Sequence, residues 1–311
     1  MNLISIIVPC YNEEQMLPQF YKETTRVLKT IKNTNYEFLF INDGSQDHTL
    51  SILQQLSKND SHCNYYSFSR NFGKEAAMYA GLTYAKGDYC VIMDADLQHP
   101  PQLLPAMYHA LAMEGYDCCG GKRVNRDGEN KIRSFLSTCF YKVISKMSQF
   151  DMCDGNGDYR MMKRQMVDAI LEMKEYNRYM KGLFSFVGFD TKWIEFPNIE
   201  RAKGTSKWNL KSLFAYAFEG ILSFSTAPIT FAAIIAIFLI LASFLLLITQ
   251  ISAFLLMHQP YSMSILIITL ILFLSGVQML FVYLLGEYTT KSYMESKKRP
   301  IYIIKESNQS Q

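Results

Sequence analysis

Short apolar runs alternating with helical spacing fill the first ninety residues. Leu3 to Val8 is a β-branched run ending at Pro9, and residues 13 to 32 then repeat apolar side chains at helical intervals (Met16, Leu17, Phe20, Val27, Leu28, Ile31). The pattern recurs. Glu37 to Ile41 predicts a strand, Asn42-Asp43-Gly44-Ser45 a turn, and Thr49 to Leu56 a helix. Tyr65 to Phe68 leads through SRNFGKE into a helix near Glu75 to Ala85, and Tyr89 to Ile92 is a fourth buried strand. Strands alternating with helices predict an α/β domain with a mostly parallel sheet covered on both faces. A further strand is expected at Thr191 to Phe196.

Ligands of such sheets bind at the carboxyl ends of the strands. That rule gathers four polar loops at one edge: Tyr11 to Glu14, Asn42 to Asp47, Ser69 to Glu75 and Asp94 to His99. The last places Asp94, Asp96 and Gln98 just past a buried strand, where alternate acidic side chains can converge on a hard cation. Taken alone, an Asp-x-Asp is also ordinary turn chemistry. Four such loops at one edge favour a site. The chain has no GxGxxG and no GxxxxGK[ST], so neither a dinucleotide fingerprint nor a P-loop is indicated.

Charge divides the chain. From Gly220 to Gly286 there is no Asp, Glu, Lys or Arg. Within that stretch Ile229 to Met257 and Ile265 to Leu285 each reach the roughly 20 residues that span a hydrocarbon core, predicting two transmembrane helices. The joining HQPYSMS carries no Lys or Arg. Lys203, Lys207 and Lys211 precede the first helix, and Lys291, Lys297, Lys298 and Arg299 follow the second, so both ends are expected in the cytoplasm. The expected organisation is a cytoplasmic catalytic domain over 1–206, a juxtamembrane amphipathic helix over 207–228, a transmembrane hairpin over 229–286 and a basic cytoplasmic tail over 287–311. The expected location is the cell membrane, multi-pass.

A net charge of +3 is too small to suggest a nucleic-acid binder, where a basic face would be expected. The seven Cys include no CxxC and no zinc-ligand spacing, which points to free thiols in a reducing compartment. The N-terminal apolar run has no basic flank and is too short for a signal peptide. Neither expected span holds an ionisable residue to carry a charged lipid headgroup across, so transport by this chain is not expected.

The motifs IIVPCYNEE, INDGSQDHT, SRNFGKEAAMYAGL, DADLQHPP and GNGDYRMM, in this order, resemble the family 2 glycosyltransferases of GT-A (Rossmann-like) fold. Within them the chain is most similar to the polyprenyl-phosphate glycosyltransferases, the dolichol-phosphate mannose synthase and bactoprenol glucosyltransferase group. The resemblance covers essentially the whole chain. It implies that Pro9, Tyr11, Asn12, Glu13, Asp43, Arg70, Lys74, Asp94 and Gln98 bind the nucleotide sugar. It implies a Mg²⁺ or Mn²⁺ ion on Asp94, Asp96 and Gln98, with Asp96, Asp158 and Arg133 carrying the chemistry. Arg123 and an Arg-x-x-x-Ser pair, Arg133 and Ser137, would hold the lipid phosphate, for which the planar Arg fork is suited. A solvated basic loop is the other reading of that segment. Asp158 resembles the acceptor-side carboxylate, an orienting group rather than a base, because a phosphate acceptor is already largely ionised at neutral pH. Arg201, Ser206 and Lys207 resemble the family's lid loop, with a juxtamembrane anchor as the alternative. Residues 135 to 147 fit either a helix in the membrane surface or an ordinary packed helix. No QxxRW motif of a processive synthase is present.

The activity this implies is inverting transfer of one hexose, glucose or N-acetylglucosamine, from a UDP-sugar to undecaprenyl phosphate, with GDP-mannose as donor or a different lipid or glycan as acceptor the alternative. The implied partners are the nucleotide sugar, the polyprenyl phosphate, the membrane, further copies of the chain as a homo-oligomer, a separate flippase and a downstream transferase.

Overall fold

The computed structural model describes residues 1–123, 156–197 and 263–309. The chain divides into two compact units, one formed by Met1–Ala215 with Arg299–Gln311, the other by Tyr216–Lys298.

The first unit is built on an eight-stranded sheet of order β7-β5-β6-β4-β1-β2-β3-β8. Its strands are β1 (Asn2–Cys10), β2 (Thr34–Asn42), β3 (Cys63–Phe68), β4 (Tyr89–Ile92), β5 (Cys118–Arg123), β6 (Asn156–Lys163), β7 (Thr191–Phe196) and β8 (Ile304–Ser307). The helices are α1 (Leu17–Leu28), α2 (Thr49–Asn59), α3 (Lys74–Tyr84), α4 (Leu104–Ala112), α5 (Arg164–Glu172) and α6 (Met180–Phe186). Strands β1 to β4 are mutually parallel where they pair, so their carboxyl ends and the four polar loops lie along one edge. Strand β6 runs antiparallel between β4 and β5, and β7 lies parallel to β5 at the far edge.

Alternation along the strands distributes the core between the two faces. Ile4, Ile6 and Val8 of β1 join Phe38 and Phe40 of β2 in a cluster with Leu17, Phe20, Leu104 and Met107 from α1 and α4. Ile7 points the other way, against α3. There Gly81 approaches so closely that a Cβ would lie 2.2 Å from Cγ2 of Ile7. Helix α3 thus seats directly on β1, which fixes its first residue, Lys74, at the strand ends.

Three strands depart from the reading of the sequence. Arg123, for whose segment a solvated basic loop is one reading, ends β5, where Trp193 packs over Gly120 and leaves no room for a side chain. Asp158 and Arg160 lie within β6, a strand not expected from the sequence. The C-terminal segment, expected only as a basic tail, returns to the first unit as β8 and pairs antiparallel with β3. In β5 and β6 pairing across the sheet overrides a local composition poor in strand formers.

The second unit contains one described helix, α7 (Met263–Ser296). Among the described residues no helix is established as long and apolar enough to cross a membrane. The first expected span lies outside the described residues, as do several apolar side chains of α7.

Gly81→Ala sets opposing effects against each other. An alanine in a helix gains roughly 0.5–1 kcal/mol over glycine, whereas forcing a methyl into Ile7 costs about 1–3 kcal/mol. The clash should prevail, and thermal unfolding of the purified variant should show a lower midpoint than the parent.

Candidate active site

The edge is held by hydrogen bonds from one loop to the next. Asn12, in the left-handed region at φ 54°, accepts from the Gln46 N–H at 2.9 Å through its side chain, and its own N–H donates to Ser45 Oγ at 2.9 Å. The Glu13 N–H donates to Thr49 Oγ1 at 2.8 Å, and Glu14 accepts from the His48 N–H at 2.9 Å. These bonds weld the β1 loop to the start of α2. Pro9 is the penultimate residue of β1, with Tyr11 just beyond the strand, both half-buried.

Asp43 follows β2 and is 4 % exposed. Its two oxygens accept the backbone N–H groups of Phe72 and Gly73, at 2.6 and 3.0 Å. The next residue, Gly44, has φ 66°, and a Cβ there would lie 2.5 Å from the carbonyl carbon of Arg70. The loops after β2 and β3 therefore meet backbone to backbone. Burial pushes the Asp43 carboxyl up to about 6, against the lowering effect of the two N–H donors. Arg70 is exposed, its guanidinium 4.1 Å from the centroid of the Phe72 ring.

The turn after β4 is set by its own side chains. The Asp94 N–H donates to Nδ1 of His99 at 3.0 Å, so Nδ1 of the buried ring is an acceptor and a neutral ring carries its proton on Nε2. The His99 ring stacks on Tyr159, with centroids 4.8 Å apart, and the Tyr159 hydroxyl donates to the Pro100 carbonyl at 2.8 Å. Leu97 takes a positive φ of 59°, and the Gln98 N–H donates to Oδ1 of the buried Asp96 at 3.1 Å. Burial, together with the charges of Lys74 and Arg123, lowers the His99 pKa despite the nearby Asp94. Arg123, at the end of β5, thus exerts its charge on this turn.

At the centre stands Lys74. Its Nζ lies 2.8 Å from Oδ1 of Asp94 and 2.9 Å from Oδ2 of Asp158. Burial works against its charge, but the carboxylates of Asp158 and Asp94 outweigh it and raise the pKa. The same pairing overcomes burial to hold Asp158 and Asp94 below the usual carboxylate range, with Lys181 and Arg160 also acting on Asp158. The second Asp158 oxygen, Oδ1, is buried and has no hydrogen-bond partner among the described residues. Arg160, two residues along β6, lies with its guanidinium 3.8 Å from the Phe184 ring centroid.

Among the sequence-predicted residues, the structure brings Asp94 and Asp158 to within reach of one Lys74, and sets Asp43 against the Ser69–Gly73 loop. Arg133, Ser137, Arg201 and Lys207 lie outside the described residues. The reading of the sequence did not single out His99, Tyr159 or the Phe72 and Gly73 amides. The only trace of them is local: an HPP after the acidic pair, and a Gly opening α3. Among the described residues no three His, Cys, Asp or Glu side chains are grouped to hold a metal ion unaided.

A mostly parallel sheet at whose strand ends carboxylates, a half-buried lysine and anchored amides meet is the framework of an α/β enzyme acting at that edge. The sequence model of glycosyl transferase family 2 matches residues 5–171, and the chain belongs to that family; it is a glycosyltransferase. It is 43% identical over 306 residues to the putative glycosyltransferase CsbB of Bacillus subtilis (strain 168), covering 98% of this chain and 92% of that protein. It is 40% identical over 306 residues to the bactoprenol glucosyl transferase of Shigella phage SfV, covering 98% and 99%. A prophage bactoprenol glucosyl transferase homolog of Escherichia coli (strain K12) is 38% identical over 307 residues, covering 97% and 98%.

The Asp43 carboxyl supplies a pH test. Its folded pKa lies above the ordinary value near 4, so ionising it costs stability. Its contribution is fully present below about pH 4 and is lost as pH rises through about 6. Asp43→Asn removes that titration. Melting temperatures taken from pH 4 to 7 should show the difference between parent and Asp43→Asn changing across this window and flat above it.

Proposed function

We propose that the chain transfers a single hexose, glucose or N-acetylglucosamine, from a UDP-sugar to undecaprenyl phosphate at the cytoplasmic face of the membrane, with inversion at the anomeric carbon. One structural observation carries the reading: Lys74 joins Asp94, which we assign to the donor, to Asp158, which we assign to the acceptor. The near full-length similarity to proteins named bactoprenol glucosyl transferase supports the acceptor class.

The donor is assigned to the welded loops. Asp43, Pro9, Tyr11, Asn12 and Glu13 form the nucleotide pocket, with Arg70 and, from the lid loop, Arg201 and Lys207 neutralising the diphosphate. A divalent cation, Mg²⁺ or Mn²⁺, fits the donor set when substrate phosphates complete its shell, since Asp94, Asp96 and Gln98 offer hard oxygens and Mg²⁺ is commonly held by one or two carboxylates in this way. Those three residues would hold it, and the chemistry it supplies when bound is neutralisation of charge on the leaving nucleotide diphosphate.

Asp158 orients the acceptor through Oδ1, which has no hydrogen-bond partner among the described residues, while Arg123, Arg133 and Ser137 hold the lipid phosphate. The phosphate oxygen attacks the anomeric carbon in line as the nucleotide diphosphate departs, giving a β-linked lipid-phosphate sugar. Lys74 keeps two facing carboxylates tolerable while no substrate is present. Once positive charge arrives with the donor, its ammonium is free to turn to the diphosphate. The segments 229–257 and 265–285 anchor the enzyme as a membrane hairpin. A separate flippase and a downstream transferase would complete the modification of an envelope glycan.

Membranes containing the protein, given undecaprenyl phosphate and a panel of UDP- and GDP-sugars, should form an alkali-stable, acid-labile product from a UDP-hexose. Labelling from GDP-mannose alone, or a product cleaved by mild alkali, overturns the donor or acceptor assignment. Asp96→Asn should lower the rate at least about a hundredfold, the scale of losing a principal electrostatic group, while the protein remains folded in membranes. In Arg133→Ala the apparent KM for undecaprenyl phosphate should rise by about tenfold, as expected for losing a charge-assisted phosphate contact of about 1.5–3 kcal/mol, with donor binding little changed.

A further inference from the structure

The C-terminal segment is bound to the catalytic unit by far more than one strand pairing. Tyr66, Ser67 and Phe68 of β3 face Ser307, Glu306 and Ile304 of β8, with a register shift between Ser67 and Phe68. Glu306 accepts hydrogen bonds from the Tyr65 hydroxyl at 2.7 Å and from Gln54 at 2.5 Å. Asn308 bonds β3 twice, accepting from the Tyr65 N–H at 2.9 Å and donating to the Cys63 carbonyl at 3.1 Å. An ordinary solvated tail makes none of these contacts.

The contacts continue toward the donor loop. The Ser69 N–H, the first beyond β3, donates to the Ile303 carbonyl at 2.9 Å. Tyr302 stacks on Phe68 with centroids 5.1 Å apart and meets Tyr79 and Tyr84 of α3 edge-on. Phe68 in turn meets Phe72 edge-on at 5.7 Å, and the Phe72 N–H is one of the two that Asp43 accepts. Tyr302, Phe68, Phe72 and Asp43 thus form one continuous line of contact. It grips both ends of the Ser69–Gly73 loop: the strand that enters it and the helix that leaves it.

We propose that residues 302–309 are a positioning strand for the nucleotide-sugar loop Ser69–Gly73, acting through Phe68 and Phe72. In chemical terms this is strand addition in cis, in which main-chain bonds hold the strand and one aromatic side chain transmits its position. The strand also closes the β3 edge, which would otherwise present unpaired N–H and C=O groups. The proposal rests on the assignment of this loop to the donor pocket. Tyr302 touches no substrate in it.

The test compares the parent with a chain ending at Arg299 and with full-length Tyr302→Ala. The donor KM should rise by about fivefold, the scale of a coupling transmitted through packed side chains, with kcat and the acceptor KM within about twofold. A synthetic peptide of residues 299–311 added to the shortened chain should restore the donor KM. Peptides covering 69–73 should exchange amide hydrogen faster in both variants. An unchanged donor KM, or losses confined to kcat, together with unaltered exchange at 69–73, overturns the proposal. Should the shortened chain fail to accumulate, Tyr302→Ala decides by the same two readouts. If the parent turns over no nucleotide sugar, the donor assignment fails, and exchange at 69–73 alone then decides whether the strand positions the loop.

Discussion

Two carboxylates from different strands, Asp94 after β4 and Asp158 within β6, share one ammonium group, that of Lys74. Drawing three such charges partly out of water carries a cost, and their attraction offsets it only where geometry is close and further bonds are made. The surrounding structure supplies that geometry. Gly81 lets α3 sit hard against β1 and so sets the height of Lys74. His99 and Tyr159 hold the turn that carries Asp94. The antiparallel insertion of β6 beside β4 places Asp158 opposite. A polar network of this kind favours one arrangement of the strand ends over its neighbours.

The Asp43 carboxylate does for the backbone what Lys74 does for the side chains. It ties the loop after β2 to the loop after β3 through two N–H groups, and the resulting close approach leaves room only for glycine at position 44. The loops at this edge are therefore not independent. The β1 loop is bound to the β2 loop, the β2 loop to the β3 loop, and the β3 loop to the returning C-terminal strand. A change in any one is felt along the line because packed contacts have discrete arrangements rather than continuous ones.

Much of the framework was legible because strands buried on both faces read as unbroken apolar runs, as in FLFI of β2 and IIV of β1. The alternation with helical spacing gave the parallel order, and the parallel order put Asn12, Asp43, Lys74 and Asp94 at one edge. Strands β5 and β6 were not legible. CCGGKR and NGDYRMMK carry glycines and charges that locally suggest loop, and only the overlying Trp193, Phe196 and Tyr159 explain their burial.

By itself, the sequence determined the family, the parallel half of the sheet and the identity of the acidic and basic groups, because these depend on local periodicity and on residue chemistry. Tertiary structure alone decided which groups meet. No spacing rule pairs Lys74 with Asp158, eighty-four positions away, and none brings Tyr302 onto Phe68. Both follow from sheet order, in which an antiparallel strand inserts beside β4 and another closes β3, and sheet order is set by long-range pairing that no local pattern encodes.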